Sequence, residues 1–177
     1  MAMIVEDERD DNPVAYVALG ANMVSAEGPP RDTLHAAIAA LEGGGICVLS
    51  VSQFYETQAW PNPSDPPFVN AVCKIGTHLT PGNLLLRLQQ LERKFGRVHT
   101  TRNAPRTLDL DIIDCAGRVE EGPPILPHPR VAERGFVLIP LRDVAPTWRH
   151  PVSGRSVDEL IAALRPEDRV ARPLNSS

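Results

Sequence analysis

Two aspartates, Asp109 and Asp111, lie two residues apart inside the otherwise apolar run RTLDLDII at 106–113. Because successive side chains of a β-strand point to opposite faces, both carboxylates are predicted to share one face while the intervening apolar residues point into a core. Oxygen ligands on a rigid strand suit Mg²⁺, which keeps several waters and takes phosphate oxygens as its remaining ligands. Two such ions could bridge a nucleoside triphosphate at the point of transfer.

A polar segment after Gly96 contains three arginines, Arg97, Arg102 and Arg106. Its composition predicts a mobile loop. A transferring polyphosphate needs positive charge that faces carboxylate-held metal, because catalysis of such transfer consists mainly of positioning and charge neutralisation. The alternative is a solvated strand edge, with the aspartates paired to Arg102 or Arg106 of an ordinary surface loop. A D-x-D motif is short and common, so by itself it leaves that alternative open.

Hydrophobic periodicity predicts the elements that must position these residues. Strands are predicted at 13–22, 46–57, 68–79 and 106–115, and helices at 31–44, 81–95 and 156–165. The resulting order, βαββαβ followed by a C-terminal extension, is typical of a ferredoxin-like α+β sandwich. We predict one catalytic domain at 13–168, between a flexible acidic tail at 1–12 and a disordered tail at 169–177.

Composition narrows the class of protein. The chain has 177 residues, of which 42% are hydrophobic, enough for one domain with a core. No apolar run approaches the ~20 residues of a membrane span, and the acidic N-terminal segment lacks the pattern of a signal peptide. A formal net charge of −4 argues against a general nucleic-acid binder. Three cysteines without metal-like spacing suggest buried free thiols in a reducing compartment. We expect a cytoplasmic monomer that acts on small molecules, without a nucleic-acid or membrane partner.

Several segments in order resemble the 6-hydroxymethyl-7,8-dihydropterin pyrophosphokinase family of folate biosynthesis. They are YVALGAN, SQFYET, FVNAV, LLRLQQLERKFGR, RNAPRTLDLDII and LPHPRVAERGFVLIPL, within about residues 14–165. The resemblance implies that the pterin hydroxymethyl oxygen attacks the β-phosphorus of the co-substrate ATP, so that pyrophosphate is transferred and AMP leaves. It also implies two Mg²⁺ ions held by Asp109 and Asp111, which with Arg97 and Arg106 would form the catalytic set.

The resemblance further implies a pterin site. Asn70 resembles the asparagine that hydrogen-bonds the edge of the pterin ring, and Phe68 and Phe136 resemble the aromatic pair that encloses it. Either phenylalanine could instead belong to an ordinary core, whereas an amide within an apolar strand needs partners. The remaining pterin contacts implied by the resemblance come from a loop, at Thr57, Ala59 and Trp60.

An ATP site is implied by the same resemblance. Gln89 and Glu92 lie one turn apart on the second predicted helix and resemble a pair that faces the active centre, although an ordinary helix surface is the alternative. The other implied ATP contacts are Arg97, Ile112 (through its backbone), His128 and Arg134. Two positions depart from the family: His99 stands where many relatives have arginine, and Asn103 where some have tryptophan. Because histidine is shorter than arginine and largely neutral at pH 7, we expect the phosphate contact at His99 to be missing or pH-dependent. Because Asn103 cannot stack on a substrate, we expect this loop to close differently.

Two other functions fit part of the pattern. A ferredoxin-like nucleotidyl transferase or cyclase also holds two metals on strand carboxylates, but it would release pyrophosphate rather than AMP. A regulatory domain of the same topology would bind a small molecule without turning over ATP. The aspartate pair and the arginine-rich segment argue against the regulatory domain, because a sensor has no need of two triphosphate metals.

Overall fold

An antiparallel sheet forms the centre of the computed structural model, which describes residues 12–59, 61–96 and 107–175. The strands are β1 (Val14–Ala21), β2 (Ile46–Val51), β3 (Tyr55–Thr57), β4 (Phe68–Thr77), β5 (Asp109–Cys115), β6 (Glu120–Glu121), β7 (Ile125–Leu126) and β8 (Arg172–Pro173). The helices are α1 (Pro30–Leu41), α2 (Pro81–Lys94), α3 (Gly135–Val144) and α4 (Val157–Ala163). Two 3₁₀ turns are present at Val131–Glu133 and Pro166–Arg169, and β6 and β7 form a separate hairpin.

The strand order of the main sheet is that of a ferredoxin-like fold. β1 lies between β5 and β4 and pairs antiparallel with both. β2 and β3 pair with successive parts of β4, while α1 connects β1 to β2 and α2 connects β4 to β5. The predicted βαββαβ order and α+β class are confirmed, and β5 is left at an edge of the sheet.

Helices α1 and α2 cover one face of the sheet, as their apolar periodicity predicts. Thr80 caps α2, its hydroxyl oxygen accepting from the Asn83 N–H at 3.2 Å, and Pro81 occupies the first helical turn. Leu84, Leu88 and their neighbours then form one buried stripe. The main core members from these two helices, from the facing strands and from the residue just before β5 are Leu34, Leu41, Leu84, Leu88, Leu91, Leu19, Ile75, Leu108, Leu110 and Ile112.

The C-terminal extension covers part of the opposite face and makes the domain three-layered. Leu138 and Leu141 of α3 pack with Leu160 of α4 against Val72 and Ile113 of the sheet. The sequence does not predict α3, because Pro140 lies inside it and interrupts the helical pattern. The burial of an almost continuous apolar run outweighs the lost backbone hydrogen bond.

Residues 46–57 form two strands rather than the single predicted strand. The Ser52 hydroxyl accepts from the Val72 N–H at 2.9 Å and donates to the Gln53 carbonyl at 2.7 Å. The Gln53 N–H is bound by the Asp143 carboxylate of α3 at 3.1 Å instead of by a strand. A side chain 90 residues away in sequence therefore interrupts the ladder.

Residues 172 and 173 differ from the prediction of a disordered tail at 169–177. They form β8, which pairs with β3, and the Leu174 N–H donates to the Phe54 carbonyl at 2.8 Å. The physical reason is that β3 would otherwise be an open edge, and its free backbone groups offer a template for any nearby extended segment. Pro173 is compatible with this place because an edge strand can do without one N–H donor.

The longest helix within 12–59, 61–96 and 107–175 is α2, with 14 residues. None of the helices in these ranges has the length and apolar character needed to span a bilayer.

Candidate active site

The two aspartates lie on the sheet face that carries α3, beyond the part that the helix covers. Asp109 and Asp111 are partly exposed, whereas Ile113, next on the same face, is buried under α3. Leu110 and Ile112 point into the opposite core with 4% exposure each. The alternation predicted from the sequence is thus present. It places two carboxylates on an open surface that rests on a rigid strand.

Gly20 of β1 lies between the aspartate strand and the strand that carries Asn70. It pairs with Asp109 on one side and with Asn70 on the other. Phe68 is two residues before Asn70 and therefore points to the same face. A Cβ atom at Gly20 would lie 3.1 Å from the Asn70 Oδ1 and 3.9 Å from the Phe68 Cδ1. The three strands thus form a continuous floor running from Phe68 and Asn70 to Asp109.

Asn70 is held in place from β3. It is 5% exposed, and its Nδ2 donates to the Thr57 Oγ1 at 2.7 Å. This bond satisfies one donor of the amide and fixes its orientation on the floor. Thr57 pairs with Phe68 in the sheet, and Ala59 is buried just beyond the end of β3. Thr57, Phe68 and Asn70, assigned to one site by resemblance, are thus brought together by the fold.

Arg134 and Phe136 border the floor at the N-terminal end of α3. The Arg134 Nη1 forms an ion pair with the Asp111 Oδ2 at 3.5 Å. Its guanidinium carbon lies 5.6 Å from the centre of the Phe136 ring, within the range of a cation–π contact. Phe136 is 40% exposed, so it is not a core residue even though Val137 and Leu138 beside it are. An exposed aromatic ring next to a partly buried arginine suits the binding of a ring and an anion.

His128 contacts β5 at its outer edge, the edge that is not paired with β1. Its backbone N–H donates to the Ile113 carbonyl at 2.9 Å, and its Nδ1 accepts from the Arg130 N–H at 3.1 Å. Burial lowers the pKa of His128 to about 4, and the positive charge of Arg134 acts in the same direction. The ring is therefore neutral at pH 7 with its proton on Nε2, which can donate to an anionic oxygen.

Glu92 reaches from α2 around the open edge of β5. Its Oε1 accepts from the Leu110 N–H at 2.8 Å, and the residue is 4% exposed. Glu92 is thus not part of an ordinary helix surface, and it fixes the backbone between the two aspartates. Gln89, one turn earlier, is partly exposed. Because backbone direction alternates along a strand, the N–H of Ile112 faces the same edge as that of Leu110.

The remaining predicted site residues fall outside the described part of the chain. These are Trp60, Arg97 and Arg106, together with His99 and Asn103. Sequence reasoning did not single out Gly20 as a site residue. Its signal is a glycine inside a β-rich run, which often marks close approach of a ligand.

The residues present fit a magnesium site completed by substrate. Across the described ranges, no group of three or more His, Cys, Asp or Glu residues is arranged to hold a metal. Two carboxylates on one face match the chemistry of Mg²⁺, which takes one or two protein carboxylates together with waters and phosphate oxygens. The Arg134 guanidinium beside Asp111 supplies positive charge at the same place.

The sequence matches the family of 7,8-dihydro-6-hydroxymethylpterin-pyrophosphokinase over residues 16–146. The chain belongs to this family. It is 40% identical over 149 residues to the 2-amino-4-hydroxy-6-hydroxymethyldihydropteridine pyrophosphokinase of Synechocystis sp., covering 83% of this chain and 74% of that protein. For the protein of the same name from Pseudomonas aeruginosa, the identity is 40% over 150 residues, and the shares are 84% and 90%. The folic acid synthesis protein fol1 of Pneumocystis carinii is 40% identical over 148 residues, and this chain spans 20% of its length.

Solved structures share the fold. The wild-type HPPK-DHPS of Plasmodium falciparum superposes with a TM-score of 0.62 at 12% identity, covering 84% of this chain and 44% of that one. The same protein with pteroate gives a TM-score of 0.64, again at 12% identity with 84% and 44% covered. At this identity the likeness concerns the arrangement of helices and strands.

Proposed function

We propose that the chain transfers pyrophosphate from ATP to 6-hydroxymethyl-7,8-dihydropterin and releases AMP, as a step of folate biosynthesis. The observation that carries this proposal is the placement of Asn70 and Asp109 on either side of Gly20 on one face of the sheet. Two strand spacings separate the backbones of Asn70 and Asp109, roughly 9.5 Å. That span suits a bicyclic ring bound by its polar edge at one end and carrying its reacting hydroxymethyl group at the other.

The pterin ring would bind at the Asn70 end of the floor. The Asn70 amide, oriented by Thr57, would hydrogen-bond the polar edge of the ring, and Phe68 and Phe136 would contact its faces. Ala59 and Trp60 would contribute through the backbone of their loop. The loops at 22–30 and 58–67 are already joined by the Asn22 Nδ2, which donates to the Pro66 carbonyl at 3.3 Å. Their closure over the substrate would exclude water, a competing acceptor.

The triphosphate would bind at the aspartate end. Asp109 and Asp111 would hold Mg²⁺, two ions in the proposed enzyme, and the metal when bound neutralises and orients the phosphates. Arg134 would exchange its contact with Asp111 for a phosphate oxygen, and neutral His128 would donate from Nε2. Arg97 and Arg106 are proposed as further catalytic contacts to the transferring group. The loose transition state of such transfers lowers the need for a general base.

The nucleoside would lie along the open edge of β5. The backbone of Ile112 faces this edge and can pair with the adenine, while its side chain remains in the core. Glu92 would act mainly by holding the strand, and Gln89 would line the same side. The protein is further proposed to be a monomer that acts on small molecules in the cytoplasm. Sedimentation at assay concentrations would test the monomer.

The experiment is an assay of purified protein with ATP, Mg²⁺ and 6-hydroxymethyl-7,8-dihydropterin, in which nucleotides are separated by chromatography. We expect AMP to form only when the pterin is present. Asp111→Ala should abolish AMP formation while the far-ultraviolet circular dichroism stays unchanged. Asp158→Ala is the matched control, because Asp158 lies on α4, is 68% exposed and pairs with Arg142. Pyrophosphate release in place of AMP would favour the nucleotidyl transferase, and ligand binding without turnover would favour the regulatory domain.

A further inference from the structure

We propose that the C-terminal segment, residues 172–174, positions the proposed pterin site from outside it. The segment pairs with β3, and β3 carries the threonine whose hydroxyl holds the Asn70 amide. The segment is thus a positioning element for acceptor binding, and it acts through the backbone of β3. This inference rests on the proposed function and adds to it a part of the chain that touches neither substrate.

The first argument is that the segment and Asn70 lie on opposite sides of the same short strand. Tyr55 of β3 pairs with Asn70 of β4 on one side and with Pro173 on the other. The Leu174 N–H adds a hydrogen bond of 2.8 Å to the Phe54 carbonyl, just before β3 begins. Because two of the three residues of β3 pair with the segment, the strand is held between β4 and the segment.

The second argument is that β3 determines how the Asn70 amide is oriented. Thr57 lies two residues after Tyr55 and therefore on the same face of the sheet. Its Oγ1 accepts from the Asn70 Nδ2 at 2.7 Å. Because Thr57 is the last residue of β3, any displacement of the strand moves the acceptor of this hydrogen bond. The amide proposed to recognise the edge of the pterin ring would turn with it.

The third argument is that the segment is docked loosely enough to respond to a ligand. Its contacts include the pairing with β3, the packing of Leu174 on the core and a hydrogen bond of 3.4 Å from the Arg31 Nη1 to the Asn175 carbonyl. A cleft of about 520 Å³, lined by Arg31, His35 and Phe54 among others, lies between α1 and the segment. A terminal segment beside such a cleft belongs to the parts of a fold that open most easily.

Together these observations predict a coupling between the segment and the acceptor. If docking of the segment favours the form of β3 that binds the pterin, pterin binding must favour docking by the same factor. Loss of one backbone hydrogen bond corresponds to about threefold to tenfold in Kd, which sets the size of the coupling. A segment that only stabilised the fold would open locally to the same extent with and without pterin.

The first test uses Leu174→Pro in the full chain. Proline suits an extended backbone but lacks the N–H that donates to Phe54, so the variant should release the segment. In calorimetry with Mg²⁺ and α,β-methylene-ATP, we expect the Kd of 6-hydroxymethyl-7,8-dihydropterin to rise about threefold to tenfold. The Kd of the nucleotide analogue alone should stay within about twofold of the wild-type value, below the change expected for a lost hydrogen bond.

Asn175→Pro is the matched control. Backbone N–H groups alternate between the two edges of a strand, so that of Asn175 is expected to point away from β3. Asn175 is exposed, and this variant should bind the pterin like wild type.

The second test measures hydrogen exchange of the Leu174 amide in the wild-type protein by NMR. We expect exchange to slow when 6-hydroxymethyl-7,8-dihydropterin is added to protein saturated with Mg²⁺ and α,β-methylene-ATP, and to change little when the nucleotide analogue is added alone. The Gly154 amide, which donates to the His150 carbonyl within a turn, is the internal control and should not respond to pterin.

Several results would overturn the inference. One is a Leu174→Pro protein that binds the pterin as tightly as wild type, and another is equal weakening of pterin and nucleotide binding. Unchanged exchange at Leu174 on adding pterin would overturn it as well, and this measurement decides the matter even if Leu174→Pro fails to fold. A wild-type protein that binds the nucleotide but no pterin would instead overturn the proposed function, and the inference with it. The wild-type titration therefore separates the two failures.

Discussion

The guanidinium of Arg134 lies 3.5 Å from the carboxylate of Asp111 and 5.6 Å from the centre of the Phe136 ring. One side chain at the start of α3 thus contacts both the aspartate strand and the exposed aromatic ring. Arg134 therefore contacts one residue of the proposed phosphate end and one residue of the proposed pterin end of the floor. α3 also contacts β3 at its other end through Asp143, so this helix connects both borders of the site.

Arg134→Ala should weaken binding of Mg·ATP. Loss of a charged hydrogen bond to phosphate costs about 1.5–3 kcal/mol, or roughly a tenfold to hundredfold rise in Kd. Calorimetry with α,β-methylene-ATP measures it, and Arg142→Ala serves as control because Arg142 is 46% exposed and forms an ion pair with Asp158 of α4. An unchanged Kd for the nucleotide in Arg134→Ala would show that Arg134 pairs with Asp111 and does not bind the phosphates.

His128 should make stability depend on pH in metal-free protein. Its pKa is about 4 when folded, against an ordinary value of 6.5, because burial disfavours the charged ring. The unfolded chain therefore takes up the proton first, so stability falls as pH drops from about 6.5 towards 4 and is constant above 6.5. The melting temperature of the wild type, measured in chelator, should fall relative to that of His128→Gln as the pH drops through this window. Parallel curves for the two proteins would contradict the prediction.

Glu92→Ala should destabilise the fold by about 1–3 kcal/mol, because it leaves the buried Leu110 N–H without its acceptor. Glu92→Gln keeps an oxygen acceptor at the same place and should lose less. Urea unfolding measures both, with Gln90→Ala as control because Gln90 is exposed on the same helix. Since Leu110 lies between the two aspartates, pyrophosphoryl transfer should fall in the same order. A fully stable Glu92→Ala protein would argue that water replaces the carboxylate.

Tyr55→Phe should test the connection between α3 and β3. The Tyr55 hydroxyl donates to the Asp143 Oδ2 at 2.8 Å, and burial together with this bond raises the pKa of Tyr55 to about 12. We expect a loss of about 1.5 kcal/mol, typical of a hydrogen bond to a charged group. A double-mutant cycle with Asp143→Ala isolates the pairwise contribution. Coupling near zero would mean that Asp143 stabilises β3 only through the Gln53 N–H.

The elements that carry the aspartates were predictable because their signals are local. β5 alternates charged and apolar residues, so the common face of Asp109 and Asp111 follows from strand geometry alone. Helix α2 shows its leucine stripe, its Thr80 cap and its Pro81 start in consecutive sequence. Those features need no knowledge of what lies across the fold.

The features that were missed depend on distant partners. The break between β2 and β3 follows from Asp143, and β8 follows from an open edge of β3, neither of which is visible nearby in sequence. The sequence does not predict α3, because a proline such as Pro140 usually interrupts a helix. In the structure, burial of the apolar residues of α3 outweighs this effect. The contact of Glu92 with Leu110 likewise depends on how α2 crosses the edge of β5.

The C-terminal segment has a practical consequence for anyone who shortens or tags this chain. β8 covers backbone groups of Tyr55 and Glu56, and Leu174 covers that of Phe54. A version ending at residue 168 would leave the backbone groups of β3 unpaired at this edge, and the β3 strands of two copies could then pair with each other. The segment whose Leu174 packs against the core thus also covers an edge that would otherwise favour self-association in concentrated preparations.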